Sequence, residues 1–172
     1  HSSGEHLLAL INDVLDLCKV EAGREELTLV RLNVRDLCTY CLSVVRDRAV
    51  AKQLQLLSEI DPQIDSCIAD ERRVKQMLLN LLANAIKFTP NRGKIEICLE
   101  ANETQVLIVL TDTGCGIRAD ELPYIFDTFR QGAGSNKGLG LGLAIARHLV
   151  ELHHGTLEAA SNGSGCGATF TV

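Results

Sequence analysis

Apolar residues recur along this chain with two periods, and the switches between them mark its elements. Over residues 3–22, Leu7, Leu8, Ile11, Val14, Leu15 and Cys18 form one stripe at helical spacing, with Ser3 placed to cap the helix and Gly23 to end it. Residues 27–32 alternate like a strand, 34–53 read as a second amphipathic helix, and 54–60 as a strand ahead of Pro62. Asp70 is placed to cap a long helix over 71–88, which Pro90 stops. Strands over 94–101 and 105–111 follow, joined by the polar turn 102–104. A loop-rich stretch then leads to a helix over about 141–153 and strands near 156–160 and 168–172. Strands in antiparallel-looking pairs with helices segregated between them predict an α+β fold. The expected form is a two-layer α/β sandwich: a mixed, mostly antiparallel sheet with helices on one face, plus an N-terminal helix. For the stripe on that first helix, packing on its own domain and a bundle surface for another chain are equally open readings.

Composition narrows the function classes. The 172 residues amount to about one domain, and 46% apolar content is enough for a core. Aromatics at 3% and a net charge of −5 leave little for base stacking or phosphate-backbone binding, which argues against nucleic acid as a partner. Seven cysteines, an odd number lying mostly in apolar runs, suggest buried free thiols in a reducing compartment. No apolar run approaches the ~20 residues that span a bilayer. The expectation is a cytoplasmic domain, compatible with a membrane-anchored parent.

The chemistry begins on the helix over 71–88. Apolar residues wrap most of it, yet Gln76, Asn80, Asn84 and Lys87 form one polar line at steps of four, four and three. A solvated face would mix Glu and Lys; three amides and one cation suit a different use. Amide oxygens are neutral hard ligands for Mg²⁺, and a lysine meets phosphate as a point charge. Downstream, an apolar strand delivers Asp112 at its end, followed by Gly114 and Gly116. A carboxylate there can accept from an amino group such as that of adenine, although taken alone an ordinary Asp–Gly turn is the simpler reading. The third element is Lys137, Gly138, Leu139, Gly140, Leu141 and Gly142, whose glycines expose N–H groups where a helix begins. It lacks the Gly-Lys-Ser/Thr of a P-loop, and the polar loop before it is not the strand a dinucleotide fingerprint needs. A lid over about 127–142 fits better.

These elements, in this order, resemble the motifs of sensor histidine kinases, particularly the hybrid type within the Bergerat superfamily. Residues 76–89 (QMLLNLLANAIKFT) are similar to the N box, 112–117 (DTGCGI) to the G1 box, 125–131 (IFDTFRQ) to the F box and 138–146 (GLGLGLAIA) to the G2 box. Residues 165–170 resemble the closing strand, and 3–23 the second helix of the dimerisation bundle. The resemblance implies an ATP-binding catalytic domain over 25–172 and a bundle fragment over 1–24. It implies Mg²⁺ on Asn84, phosphates near Asn80 and Lys87, and adenine on Asp112 with support from Thr169. Gly114, Gly116 and Ile117 would admit the ring. The span from Lys137 to Gly142 would close over the phosphates, with Phe126 and Phe129 anchoring the lid base and Arg130 near it. The implied partners are the phosphoacceptor helix of the same kinase, a response-regulator receiver domain and a second copy in a full-length homodimer.

The pattern has departures. Leu139 stands where the family more often has a small polar residue, and Arg130-Gln131 where many relatives have Tyr-Arg. No His-Glu-Leu-Arg-Thr-Pro-like acceptor box is present; His1, His6, His148, His153 and His154 all lie in other contexts. The chain therefore reads as a piece cut after the first bundle helix, expected to bind ATP without labelling itself. Gyrase-type and chaperone-type ATPases carry a glutamate where this helix has Asn80, and an amide cannot take a proton from water. An ATPase or a nucleotide-sensing interaction module remain the alternatives. Cys38 and Cys41 form a C-x-x-C with no second ligand pair at matching spacing, so core packing is the better reading than zinc.

Overall fold

The computed structural model describes residues 26–62, 64, 66–101, 105–130 and 140–172. The predicted N-terminal helix, and the lid segment 131–139 with Lys137, Gly138 and Leu139, lie outside the described residues. The elements in order are β1 (Val30–Leu32), α1 (Val34–Ala51), β2 (Gln55–Ile60), β3 (Cys67–Ala69), α2 (Glu71–Phe88), β4 (Lys94–Ala101) and β5 (Val106–Asp112). A short 3-10 turn (Leu122–Tyr124), α3 (Gly142–Leu152), β6 (Glu158–Ala160) and β7 (Ala168–Thr171) complete them.

The main sheet runs β2-β4-β5-β7-β6, and β1 pairs with β3 in a separate antiparallel ribbon. The pairs β4–β5, β5–β7 and β6–β7 are antiparallel, whereas β2–β4 is parallel. A parallel pair needs a long crossover, and α2 supplies it. That pair departs from the purely antiparallel impression of the strand order, within the mixed sheet expected. β3 was not anticipated, because three residues carry too little alternation to read.

One face of the sheet is apolar. Ile95, Ile97 and Leu99 of β4, Ile108 and Leu110 of β5, and Ala168 and Phe170 of β7 are buried, while their neighbours in sequence are less so. Against them pack Met77, Leu78, Leu81, Leu82 and Ala85 of α2 and Ile145, Ala146 and Leu149 of α3. α1 packs on α2 through Leu37, Cys38, Cys41 and Val45.

Both long helices start on side-chain caps. Asn33 Oδ1 accepts from Asp36 N at 3.1 Å. Asp70 accepts from Arg73 N at 3.1 Å and, through its other oxygen, from Thr28 N at 2.9 Å. The N–H of Asp70 donates to His153 Nε2 at 3.0 Å, so the ring proton lies on Nδ1, which donates to Leu149 O at 2.7 Å. One residue thus ties the start of α2 to the chain before β1 and to the end of α3.

The cysteine expectation needs correction. Six described cysteines are free, but only Cys38 and Cys41 are buried; Cys115 and Cys166 are exposed and Cys67 and Cys98 intermediate. Cys98 falls on the outer face between inward-facing Ile97 and Leu99, and Cys115 and Cys166 sit in loops. Burial pushes Cys38 up to about 12 and Cys41 up to about 11, so this C-x-x-C is inert core.

Candidate functional site

The polar line on α2 lies beneath the start of α3. Asn80 Nδ2 donates to the carbonyl of Gly142, the first residue of α3, at 3.2 Å. A side chain at Gly142 would find Asn80 and Asn84 at 3.9 Å and nothing nearer, so the helix start stands over both amides with room between. Leu141, at the N-cap position, is buried and caps nothing with its side chain. Among the described residues, the N-cap side chain gives no acceptor to the opening N–H groups of α3, and the positive end of the helix lies beside the amide line. That is an anion-binding arrangement. Lys87 lies further along, exposed, with its ammonium 4.7 Å from the Phe88 ring centroid and its pKa drawn down by desolvation. Gln76, at the other end of the line, accepts from Arg73 Nη1 at 3.1 Å.

Asp112 ends the inward row Ile108, Leu110, Asp112 on β5, so strand alternation forces a carboxylate into the core face. It is 7% exposed. Burial pushes its carboxyl above the usual carboxylate range, against the opposing pull of the Gly114 and Ala168 N–H groups. The Gly114 N–H donates to Asp112 Oδ1 at 2.7 Å. A side chain at Gly114 would press on that carboxylate and on the Phe88 carbonyl. Gly116 has a φ of 70° and abuts the carbonyl of Gly163, a position only glycine fills without strain.

The loop after β5 is clamped on both sides. Cys115 N–H donates to Phe88 O at 3.2 Å, tying it to the end of α2, and Gly167 N–H donates to Gly114 O at 3.1 Å. Ser161 Oγ accepts from Ile117 N at 2.9 Å and donates to Gly167 O at 2.6 Å. The hydroxyls of Thr111 and Thr169, cross-strand partners, are 3.2 Å apart. Ser161 was missed by sequence reasoning, since a serine ahead of a glycine-rich turn carries no distinguishing signal. Lys52 was missed for a similar reason. Its ammonium donates to the carbonyls of Ile86 and Thr89 at 2.6 Å each and of Lys87 at 3.3 Å.

At the base of the predicted lid, Arg130 and Gly140 meet. Gly140 has a φ of 71°, and a side chain there would strike the Arg130 carbonyl. Phe126 packs against the core beneath Arg147. Phe129 does not: it is 62% exposed with a φ of 62°, so of these two phenylalanines only Phe126 packs against the core. Arg130 lies over the Tyr124 ring at 4.3 Å, with Nη1 3.6 Å from Asp127 Oδ2.

The model of the histidine kinase-, DNA gyrase B-, and HSP90-like ATPase family matches residues 69–172. The chain belongs to this family. It is 42% identical over 178 positions to the circadian input-output histidine kinase CikA of Thermosynechococcus vestitus, covering 100% of this chain and 24% of that relative. The crystal structure of full-length ShkA in complex with AMPPNP superposes with a TM-score of 0.89 at 33% identity, over 99% of this chain and 36% of that one. Histidine kinase ThkA in complex with response regulator protein TrrA matches with a TM-score of 0.78 at 25% identity, over 99% of this chain and 47% of that one.

As a member of the histidine kinase-like ATPases, the chain is an ATP-binding catalytic domain of the histidine-kinase type. The donor set fits a nucleotide. Positive dipole and amides gather at one place and a buried carboxylate closes another, with the Phe88 carbonyl joining α2 to the carboxylate's loop. For magnesium, no group of three or more His, Cys, Asp or Glu stands ready among the described residues. A cation here would take one amide oxygen and complete its shell from phosphates and water, as Mg²⁺ commonly does. No helix among the described residues is long and apolar enough to cross a membrane.

Proposed function

We propose that this chain is the Mg-ATP-binding catalytic domain of a two-component sensor histidine kinase. The observation that carries the proposal is the start of α3 standing over Asn80 and Asn84, while Asp112 is held buried at the end of β5. Asp112 accepts the adenine amino group, with Thr169 supporting that edge and Gly114, Gly116 and Ile117 admitting the ring. Asn80 and Lys87 approach the phosphates, and Asn84 supplies a Mg²⁺ ligand. Bound Mg²⁺ supplies charge neutralisation across the phosphates. The segment from Lys137 to Gly142 closes over them, and Arg130 turns from Tyr124 toward them as it does. The terminal phosphoryl group passes to a histidine on the first bundle helix of the same kinase, ADP leaves, and a receiver aspartate takes the group next. Positioning and electrostatics supply most of the catalysis.

Residues 1–24 belong in this reading to the bundle and 25–172 to the catalytic domain, within a cytoplasmic part of a homodimeric parent. The response regulator bound to ThkA supports a receiver partner here. Asn80 supports a kinase over a fast ATPase, because the amide is no general base for water. Calorimetric titration with ADP and a non-hydrolysable ATP analogue, with and without Mg²⁺, tests the reading. Asn84→Ala is expected to remove most of the metal-dependent gain in affinity. An equal Mg²⁺ effect in both proteins would return the amide line to a solvated helix face.

A further inference from the structure

We infer that Lys52 is a positioning residue for the phosphate end of the nucleotide site, acting through the last turn of α2; the inference rests on the nucleotide reading above. The last four carbonyls of a helix lack partners within it, and those of α2 are all accounted for. Ala85 O accepts from Thr89 N at 2.9 Å and Phe88 O from Cys115 N at 3.2 Å. Ile86 O and Lys87 O are left, and Lys52 Nζ takes both, adding Thr89 O beyond the helix end. An ammonium has three donors, and these are three acceptors. The backbone of Lys52 is fixed from either side. Its N–H donates to Ala49 O at the end of α1, and its carbonyl accepts from Arg92 N, each at 3.1 Å. The side chain is thereby directed across the α1–α2 junction onto the end of α2.

That end is where the chemistry stands. Asn84 and Lys87 project from the last two turns, and Phe88 O holds the loop that follows Asp112. A helix C-terminus carries about half a negative charge, unfavourable beside an anion. Nucleotide phosphates lying along Asn80, Asn84 and Lys87 would face it. Lys52 cancels that charge and stops the turn from fraying, so Lys87 meets the phosphates from a fixed base. The lysine never touches the ligand.

The test compares wild type, Lys52→Met, Lys52→Arg and Val45→Ala. The last is a buried α1 residue two turns earlier, which weakens the fold from outside the Lys52 hydrogen bonds to the end of α2. Dissociation constants are measured for adenosine, ADP and a non-hydrolysable ATP analogue, beside thermal midpoints. Lys52→Met should lose about tenfold for the ATP analogue, less for ADP and under about twofold for adenosine, since the charge effect scales with phosphate. Lys52→Arg should retain most of the affinity, and Val45→Ala all of it at a comparable drop in midpoint. If Lys52→Met does not fold, Lys52→Gln, which keeps donors without charge, carries the same expectation. Equal losses for all three ligands, or equal losses in Val45→Ala, would reduce Lys52 to a structural brace and overturn the inference. So would unchanged affinity. A wild-type chain that bound no nucleotide would instead sink the site reading, and this assignment with it.

Discussion

Asp112 is a carboxylate in an apolar row, and its burial works against the ligand-free fold. A buried acid whose pKa is raised favours the protonated form. Its contribution to stability is therefore present at low pH and is lost as pH rises from about 3.9 through the raised folded value. Ionising the buried group costs stability that the Gly114 and Ala168 N–H groups offset only in part, and a ligand donor would offset more of it. Asp112→Asn retains an oxygen for the Gly114 N–H but puts an NH2 where a carboxylate oxygen was. The expected outcome is a fold at least as stable at pH 7 by urea melting, with nucleotide affinity lowered about 10- to 100-fold, the worth of a charge-assisted hydrogen bond. Unchanged affinity by calorimetry would move the adenine elsewhere.

At the scale of the element, α2 is held at its two ends by side chains of residues outside the helix. Lys52 closes one end. Asp70 opens the other, binding Arg73 N and Thr28 N. Burial alone would push the Asp70 carboxyl up; hydrogen bonds from Thr28, Arg73 and Arg72 outweigh it and hold it below the ordinary range. The stability it contributes is thus present above its unfolded pKa, about 3.9, and is lost as pH falls through the folded value. Asp70→Ala should lower unfolding free energy by about 1–2 kcal/mol at pH 7, as for a lost N-cap. The gap between the two proteins should narrow below about pH 4. Urea melts at both pH values decide this, and a pH-independent gap would mean that the carboxylate charge plays no part.

For the molecule as a whole, the proposed reading separates binding from transfer. The described residues bring the amide line and the helix start together and tie the loop after Asp112 to the end of α2, yet none of the five histidines lies in an acceptor-like sequence. His153 is committed to Asp70 N–H and Leu149 O. The chain alone, incubated with radiolabelled ATP, should stay unlabelled while binding nucleotide. An acceptor bundle helix of its parent kinase, added in trans, should restore an acid-labile, base-stable phosphate on the added helix. Label on His1, His6 or any other histidine of this chain would overturn that division of labour.

How much of this was legible in the sequence follows from what is local. The helical period and Asp70 cap of α2, the alternation that sends Asp112 inward, and the amides Asn80 and Asn84 at i, i+4 depend on neighbours a turn away. Four motifs in order carried the family. Tertiary structure decided what depends on residues distant in sequence. Lys52 reaches α2 across 34 to 37 positions, and Ser161 reaches Ile117 across 44. Neither has a local signature, because a lysine after a helix and a serine before a turn look solvated wherever they occur. The three-residue β3, exposed Phe129 and outward-facing Cys98 were likewise settled by packing. Short-range periodicity chooses elements and faces, but which side chain satisfies the orphan carbonyls at a helix end is decided only when the chain has closed around it.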